Sequence, residues 1–482
     1  MKYCSPAQEP LFSYNLSMTY AILFIGVLLF LGHIFSSLFE KTRLPDVLPL
    51  MVLGMLMGPV LQVVSPESFG EAGQIFTTLA LIVVLFKSGI DFRILSLRGA
   101  VGQGLLLTTV CFVLITAIIA FIAQRVLGIP QTYALIIGAI VADNSTAIIT
   151  PMLAKLQVSK TAKTILFLEA NLTGVYSIVL ALALLSAASH GNHVSAGMLA
   201  ADVFKSFGIG IVFALAAGFF WMSILNRVRR LENAISLTFA FVLLVYSVSG
   251  LIGGDGAIAT LAFGVVAGNI RLIKRMWLPK LDFRHLLSLN GGEKDFFDEV
   301  EFIFKTLFFV YMGICMRIGR VDLLAIGFAL ALAKIIFRAP AVNYCVSKKI
   351  TRADCSVILA MCPNGLVSAV LAAMIASQLP GEGAVIQDVI YAVIFFSVIL
   401  SNLMSFRIEK GGLKWVGKAM FYRHAAEGPT ADVKPSGSAD GLNALPEGAS
   451  APDNAPAPAE HPAASGENAP DAPAPADENH PS

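Results

Sequence analysis

Charge is the scarcest property of this chain. Of its 482 residues, 14% are Asp, Glu, Lys or Arg, while 56% are hydrophobic. Soluble domains carry about 25% charged residues, so the composition argues against a large soluble enzyme. The six cysteines (Cys4, Cys111, Cys315, Cys345, Cys355 and Cys362) are scattered through mostly apolar runs. No CxxC or Cys/His cluster suggests a metal centre or a redox pair, and they read as small packing residues. HExxH, a P-loop and a defensible Ser/His/Asp set are all missing. The glycine-rich stretch from Ser249 to Gly256 lacks the Gly-Lys-Ser/Thr ending of a phosphate loop and reads as a turn. No cofactor is expected. A cleavable signal is not expected either, because the first apolar run is long and its basic residues follow it.

What is present divides the chain in two. Residues 424–482 hold ten acids, one basic residue (Lys434) and eleven of the 23 prolines, a net charge of −9. The preceding residues therefore carry +11 of the overall +2. The tail has too few large apolar residues to build a core and reads as disordered and cytoplasmic. Upstream, thirteen stretches are long and apolar enough to span a bilayer as helices. They lie near 17–39, 44–64, 70–90, 99–124, 131–153, 160–188, 196–225, 233–253, 256–273, 298–316, 321–346, 353–379 and 384–406. If the N-terminus is outside, 24 Lys and Arg fall in cytoplasmic loops and four (Lys2, Arg125, Arg317 and Arg320) fall outside. That alternation predicts N-out, C-in. It also accounts for the basic residues by topology, so nucleic acid is not an expected partner. Residues 1–16 become an extracytoplasmic segment and 409–423 a basic juxtamembrane one.

Two spans are interrupted by polar residues. The fifth carries Asp143-Asn144-Ser145-Thr146, and the twelfth carries Pro363-Asn364-Gly365. Proline removes a ladder donor and glycine loosens a helix. Taking spans 1–6 and 8–13 as opposed halves, these breaks fall at matching places. Paired broken helices in inverted repeats point to an ion site near the membrane midplane. Asp143 with the Asn144 amide and the Ser145 and Thr146 hydroxyls forms an oxygen-rich set suited to a small hard cation. A proton and a cation could compete for that one carboxylate. A kinked packing helix, with Asp143 bonded to backbone, is the alternative. Glu169, Thr173 and Tyr176 share a helix face. Charges buried in a bilayer need partners, and Glu169 is expected to pair with Lys334. Arg338, Lys305 with Glu301, and Lys87 with Asp91 read as helix-end or snorkelling charges.

The order of these segments resembles the monovalent cation:proton antiporter superfamily, the sodium/proton exchanger family, over about residues 17–408. Leu85-Phe-Lys-Ser-Gly-Ile-Asp-Phe92 is similar to its third-helix ending. Ala142-Asp-Asn-Ser-Thr-Ala147 resembles its first crossover, Leu168-Glu169-Ala170 its sixth-helix Gly-Glu-Ser, and Pro363-Asn364-Gly365 the position of its Leu-Arg-Gly. The resemblance implies an all-α polytopic membrane protein with two crossed broken helices. It also implies a mobile core over about 99–188 and 321–406, a homodimer, and a Glu169–Lys334 ion pair. Two departures stand out. Thr173 and Gly174 occupy the sixth-helix positions where the family usually has Asn-Asp or Asp-Asp, and Asn364 replaces an arginine.

The expectation is thus an inner-membrane exchanger of Na⁺ or K⁺ for protons. Asp143 is the shared site, with Asn144, Ser145, Thr146, Asn171 and Thr173 as ligands or close support. With one free carboxylate, one proton per cation is the simplest stoichiometry. A sodium-coupled organic-anion symporter of related fold, or a non-transporting sensor on an exchanger fold, are the other readings the residues allow.

Overall fold

The structure, a computed structural model, describes residues 10–42, 45–65, 70–92, 101–154, 156, 158–189, 196–228, 234–277, 289–379, 381–410, 420, 421, 423 and 424. Every regular element among them is helical. In order these are α1 (Pro10–Thr42), α2 (Val47–Met55), a π-helical turn (Leu56–Val60), α3 (Gly70–Asp91), α4 (Val101–Leu127), α5 (Gln131–Val141) and α6 (Thr146–Ala154). Then come α7 (Lys160–Ser189), α8 (Ala196–Val228), α9 (Ala234–Leu251), α10 (Gly256–Trp277), α11 (Gly291–Cys315) and α12 (Val321–Cys345). The last are α13 (Arg352–Ala360), α14 (Leu366–Gln378) and α15 (Glu382–Glu409). Counting α2 with its π turn, α5 with α6 and α13 with α14 as single crossings gives the thirteen spans read from hydropathy.

Two helices start earlier than hydropathy suggests, and local chemistry explains one of them. The α11 helix begins at Gly291 because Asn290 and Glu293 form a capping box. The Asn290 side chain accepts from the Glu293 N–H, and the Glu293 carboxylate accepts from the Asn290 N–H, both at 2.8 Å. Cap geometry is independent of apolarity, so a helix can extend beyond its hydrophobic stretch. The other, α1, starts at Pro10, within the segment expected to precede the first span.

The helices pack in two sets. One set joins α4, α5, α7, α12, α14 and α15, and the other joins α3, α8, α9, α10 and α11 around Phe86, Trp221, Phe263 and Phe297. Apolar residues face outward elsewhere: Phe30 is 69% exposed, Val113 60% and Leu244 57%. Such a surface suits a hydrocarbon solvent and would be a liability in water.

The opposed halves are visible in the packing. Helix α2 lies against α11, and α3 lies against α10. Under the repeat assignment these two pairs are equivalent, second helix of one half against third helix of the other. Each is drawn together by glycine. A methyl group on Gly54 would fall 2.1 Å from the Val310 carbonyl oxygen, and one on Gly313 would fall 2.3 Å from that of Met51. In the other pair, a methyl group on Gly89 would fall 2.4 Å from the Leu261 carbonyl oxygen, and one on Gly264 would fall 2.3 Å from that of Phe86. Small residues allow backbones to meet where lipid gives helices no hydrophobic incentive to associate.

Beyond α15 and Lys410 the chain is described again at residues 420, 421, 423 and 424, the end of the expected juxtamembrane segment and the first residue of the tail. Phe421 is fully buried, and the carbonyl oxygen of His424 accepts from Arg352 Nε at 3.1 Å. His424 Nε2 sits 3.2 Å from the Asn343 carbonyl oxygen, and Arg423 lies over the Tyr344 ring. This part of the chain therefore seats on the end of α12 and the start of α13. The acidic tail beyond His424 lies outside the described residues.

Candidate functional site

The two broken helices meet at their breaks. The Ser145 N–H donates to the Pro363 carbonyl at 2.8 Å. A methyl group on Gly365 would fall 2.1 Å from Ser145 Oγ, so this crossing tolerates only glycine. Asp143, Asn144, Ser145, Pro363, Asn364 and Gly365 are all buried. Interrupted backbone at this depth must find partners within the protein.

Those partners come from α12, from Asn364 itself, and from single hydroxyls on α7 and α15. Two half-helices, α5 and α13, end at the crossing, and each C-terminus carries a partial negative charge of about half an electron. Asn364 Nδ2 lies within hydrogen-bond distance of the Ile140, Val141 and Asp143 carbonyl oxygens (3.0, 3.2 and 3.0 Å). Lys334 Nζ donates to the same Asp143 carbonyl at 2.6 Å and to Asn364 Oδ1 at 2.9 Å. One turn further along α12, Arg338 donates to the Ile358 carbonyl from Nε (3.3 Å) and Nη2 (3.0 Å), which caps α13. The Asn364 N–H is taken by Ser397 Oγ of α15 at 3.1 Å.

The ion pair differs from expectation. Glu169 pairs with Arg338, not Lys334. The guanidinium grips both carboxylate oxygens, Nη1 to Oε1 and Nη2 to Oε2, the latter at 2.7 Å. Glu169 is 1% exposed and Arg338 2%. The planar fork of arginine matches a carboxylate in a way a lysine cannot, and the heights of α7 and α12 set the register. Arg338 is therefore neither a helix-end nor a snorkelling charge. Lys87 does pair with Asp91 (3.1 Å), and also with Asp298 at 2.5 Å. Lys305 is paired with Asp46 at 2.7 Å.

Asp143 is 1% exposed. Its Oδ2 accepts from Ser368 Oγ, in the first turn of α14, at 2.9 Å. Its Oδ1 is buried without a hydrogen-bond partner among the described residues, and so is Asn144 Oδ1. The Asn144 N–H donates to Thr173 Oγ1 at 3.1 Å, and its amide nitrogen lies 3.4 Å from Glu169 Oε1. Two adjacent residues thus present unpartnered oxygens in a buried setting, where an unsatisfied acceptor costs about 1–3 kcal/mol. An oxygen set of this type is what a hard monovalent cation requires.

The structure gathers Asp143, Asn144, Ser145, Glu169, Thr173, Lys334, Pro363, Asn364 and Gly365 at one crossing. Thr146, half-buried, opens α6, and none of the Asp143 hydrogen bonds involves it. Asn171 stands apart: its amide donates to the Phe167 carbonyl of its own helix at 2.8 Å. Two residues from both Glu169 and Thr173, it belongs on another helix face. Sequence reasoning missed Arg338, Ser368 and Ser397. Arg338 carried a usable signal, four residues from Lys334 on one face and far inside an apolar helix. Single serines in apolar helices carry none.

The family described as "Sodium/hydrogen exchanger, transmembrane" matches residues 26–408. The chain is similar to Na(+)/H(+) antiporter 1 of Methanocaldococcus jannaschii, 24% identical over 333 residues, covering 66% of this chain and 74% of that one. It is also similar to the K(+)/H(+) antiporter NhaP2 of Shewanella baltica, 23% identical over 329 residues. That match covers 66% of this chain and spans about half the length, 53%, of the relative. Among solved structures, the sodium proton antiporter MjNhaP1 from Methanocaldococcus jannaschii at pH 8 aligns with a TM-score of 0.65 at 22% identity. It covers 80% of this chain and 99% of that one, a likeness of fold.

Proposed function

The chain belongs to the sodium/hydrogen exchanger family of integral membrane proteins, and on that premise we propose that it exchanges a monovalent cation, Na⁺ or K⁺, for protons by alternating access. The observation that carries this reading is the buried Asp143 carboxylate, with one oxygen held by Ser368 and the other unpartnered beside the unpartnered Asn144 Oδ1. Family membership and the names of the relatives favour exchange over the organic-anion and sensor readings. The family is one of transporters, not enzymes.

In this reading a proton and a cation occupy the same carboxylate in turn. Binding one requires release of the other, which is the coupling that exchange needs. Asn144 Oδ1 and Thr173 Oγ1 complete the oxygen set, while Ser145 and Thr146 support the turn. Glu169 is committed to Arg338 and is not a free carrier. Lys334 and Asn364 hold the end of α5, and with it Asp143, at a fixed height. The α4–α7 and α12–α15 helices would move as a core against the rest. A homodimer in a bacterial inner membrane, with the N-terminus outside and the C-terminus in the cytoplasm, is part of the same proposal. It rests on the basic loops and on family resemblance.

The test is proton flux in proteoliposomes after a pulse of Na⁺ or K⁺. Wild-type protein should release protons on the pulse, and Asp143→Asn should not. Full exchange by Asp143→Asn would end the assignment of this side chain.

A further inference from the structure

Gly174 is buried on α7, one residue beyond Thr173. Most buried glycines in this body are pressed against backbone, as Gly54, Gly89, Gly138 and Gly264 are. Gly174 is not. A methyl group built there would meet one atom within 4 Å, Asp143 Oδ1, at 3.6 Å. That oxygen is buried and unpartnered. The missing side chain thus leaves space directly in front of the oxygen to which the proposed function assigns the cation.

We propose that Gly174 is a specificity-determining position, and that the space over it admits the larger monovalent cations to Asp143. This deepens the proposed function and rests on it. The argument is steric. Outside the helix's own backbone, Asp143 Oδ1 is the one atom within 4 Å of a methyl group built on Gly174, so an ion can sit there without displacing packed side chains. A methyl group at van der Waals distance from Oδ1 takes up part of the ion's place. Interiors near their packing limit respond to one added carbon. The penalty falls hardest on the largest ion, so K⁺ loses more than Na⁺, and Na⁺ more than Li⁺. The helix itself gains from the change, because alanine favours helical backbone over glycine.

The experiment compares half-saturating concentrations of Li⁺, Na⁺ and K⁺ for wild type, Gly174→Ala, Gly174→Ser and Gly208→Ala in proteoliposomes. Gly208, on α8, has nothing within 4 Å of an added methyl group and serves as the control. Gly174→Ala should raise the K⁺ value relative to Li⁺ by about tenfold, equivalent to about 1.4 kcal/mol. Gly174→Ser, with similar added bulk, should shift the ratio in the same direction if the alanine variant does not fold. Gly208→Ala should leave the ratio as in wild type. An unchanged ratio in a folded Gly174 variant, or an equal loss for all three ions, overturns the inference while exchange by wild type still supports the proposed function. Absence of cation-dependent proton flux in wild type overturns both.

Discussion

The Glu169–Arg338 pair offers the sharpest test of the geometry, because sequence reasoning favoured Lys334 as the partner. Arg338→Met removes the fork that binds both oxygens of Glu169. The stranded carboxylate, 1% exposed, keeps the Asn144 amide at 3.4 Å as a weak neighbour. The Ile358 carbonyl also loses both guanidinium donors. Breaking a buried pair by removing one partner costs about 3–5 kcal/mol. Lys334→Met is milder. The Asp143 carbonyl keeps Asn364 Nδ2 at 3.0 Å, the lysine bond to Asn364 Oδ1 is lost, and a proton on Asp143 restores the charge balance that Lys334 provided. One unmade buried hydrogen bond costs about 1–3 kcal/mol.

The double variant Glu169→Gln/Arg338→Met completes the cycle. It leaves no isolated charge, and neutral replacement of a buried pair costs little. A coupling of about 2 kcal/mol or more should therefore separate the double variant from the sum of its singles. Thermal unfolding in detergent reads this directly. Arg338→Met should melt lowest, with Lys334→Met and the double variant between it and wild type. If Lys334→Met melts below Arg338→Met, or the two single effects simply add, the pairing described here is wrong.

Two further outcomes follow from single contacts. Ser368→Ala removes the hydroxyl that holds Asp143 Oδ2. A hydrogen bond to a charged group contributes about 1.5–3 kcal/mol, so the half-saturating cation concentration should rise by about tenfold or more while the maximal rate changes less; a fall in maximal rate alone would contradict the orienting role. Gly54→Ala should lower the melting temperature despite the helical preference for alanine, because its methyl group would meet the Val310 carbonyl at 2.1 Å, whereas Gly208→Ala should not; equal melting of the two variants would refute the close α2–α11 crossing.

Much of the fold was legible because membrane spans announce themselves locally. Length, apolarity and the alternation of basic loops require no tertiary knowledge, and thirteen crossings emerge from them. The breaks were legible for the same reason: a run of Asp143, Asn144, Ser145 and Thr146, or a Pro363-Asn364-Gly365 turn, is conspicuous inside an apolar stretch. The pairing of charges was not. Lys334 and Arg338 lie one turn apart on one face, and which of them meets Glu169 depends on how far α12 is shifted along its axis against α7, a property of the assembled body. The role of Asn364 was hidden differently. Read as an arginine lost, it removes a charge. In the fold its amide lies against the exposed carbonyls at the end of α5, and Lys334 supplies the charge from α12. Asn171 could have been excluded on paper, since it is two residues from both Glu169 and Thr173 on a helix.

The charges gathered at the crossing also bear on stoichiometry. Lys334 and Arg338 contribute two positive charges, and Glu169 and ionised Asp143 two negative ones. The half-charges at the ends of α5 and α13 are negative, and those at the starts of α6 and α14 are positive, so they offset one another. The empty crossing is therefore neutral overall. A proton on Asp143 makes it +1, and a monovalent cation beside the ionised carboxylate makes it +1 as well. The two loaded forms present the same charge to the membrane field, so exchanging one for the other moves no net charge. Imposing a membrane potential on proteoliposomes with equal Na⁺ and equal pH on both sides should then drive no net Na⁺ movement. Net Na⁺ movement driven by the applied potential would require a second proton site, and Lys334, whose ammonium is held by a backbone carbonyl and an amide, would be the group to test next.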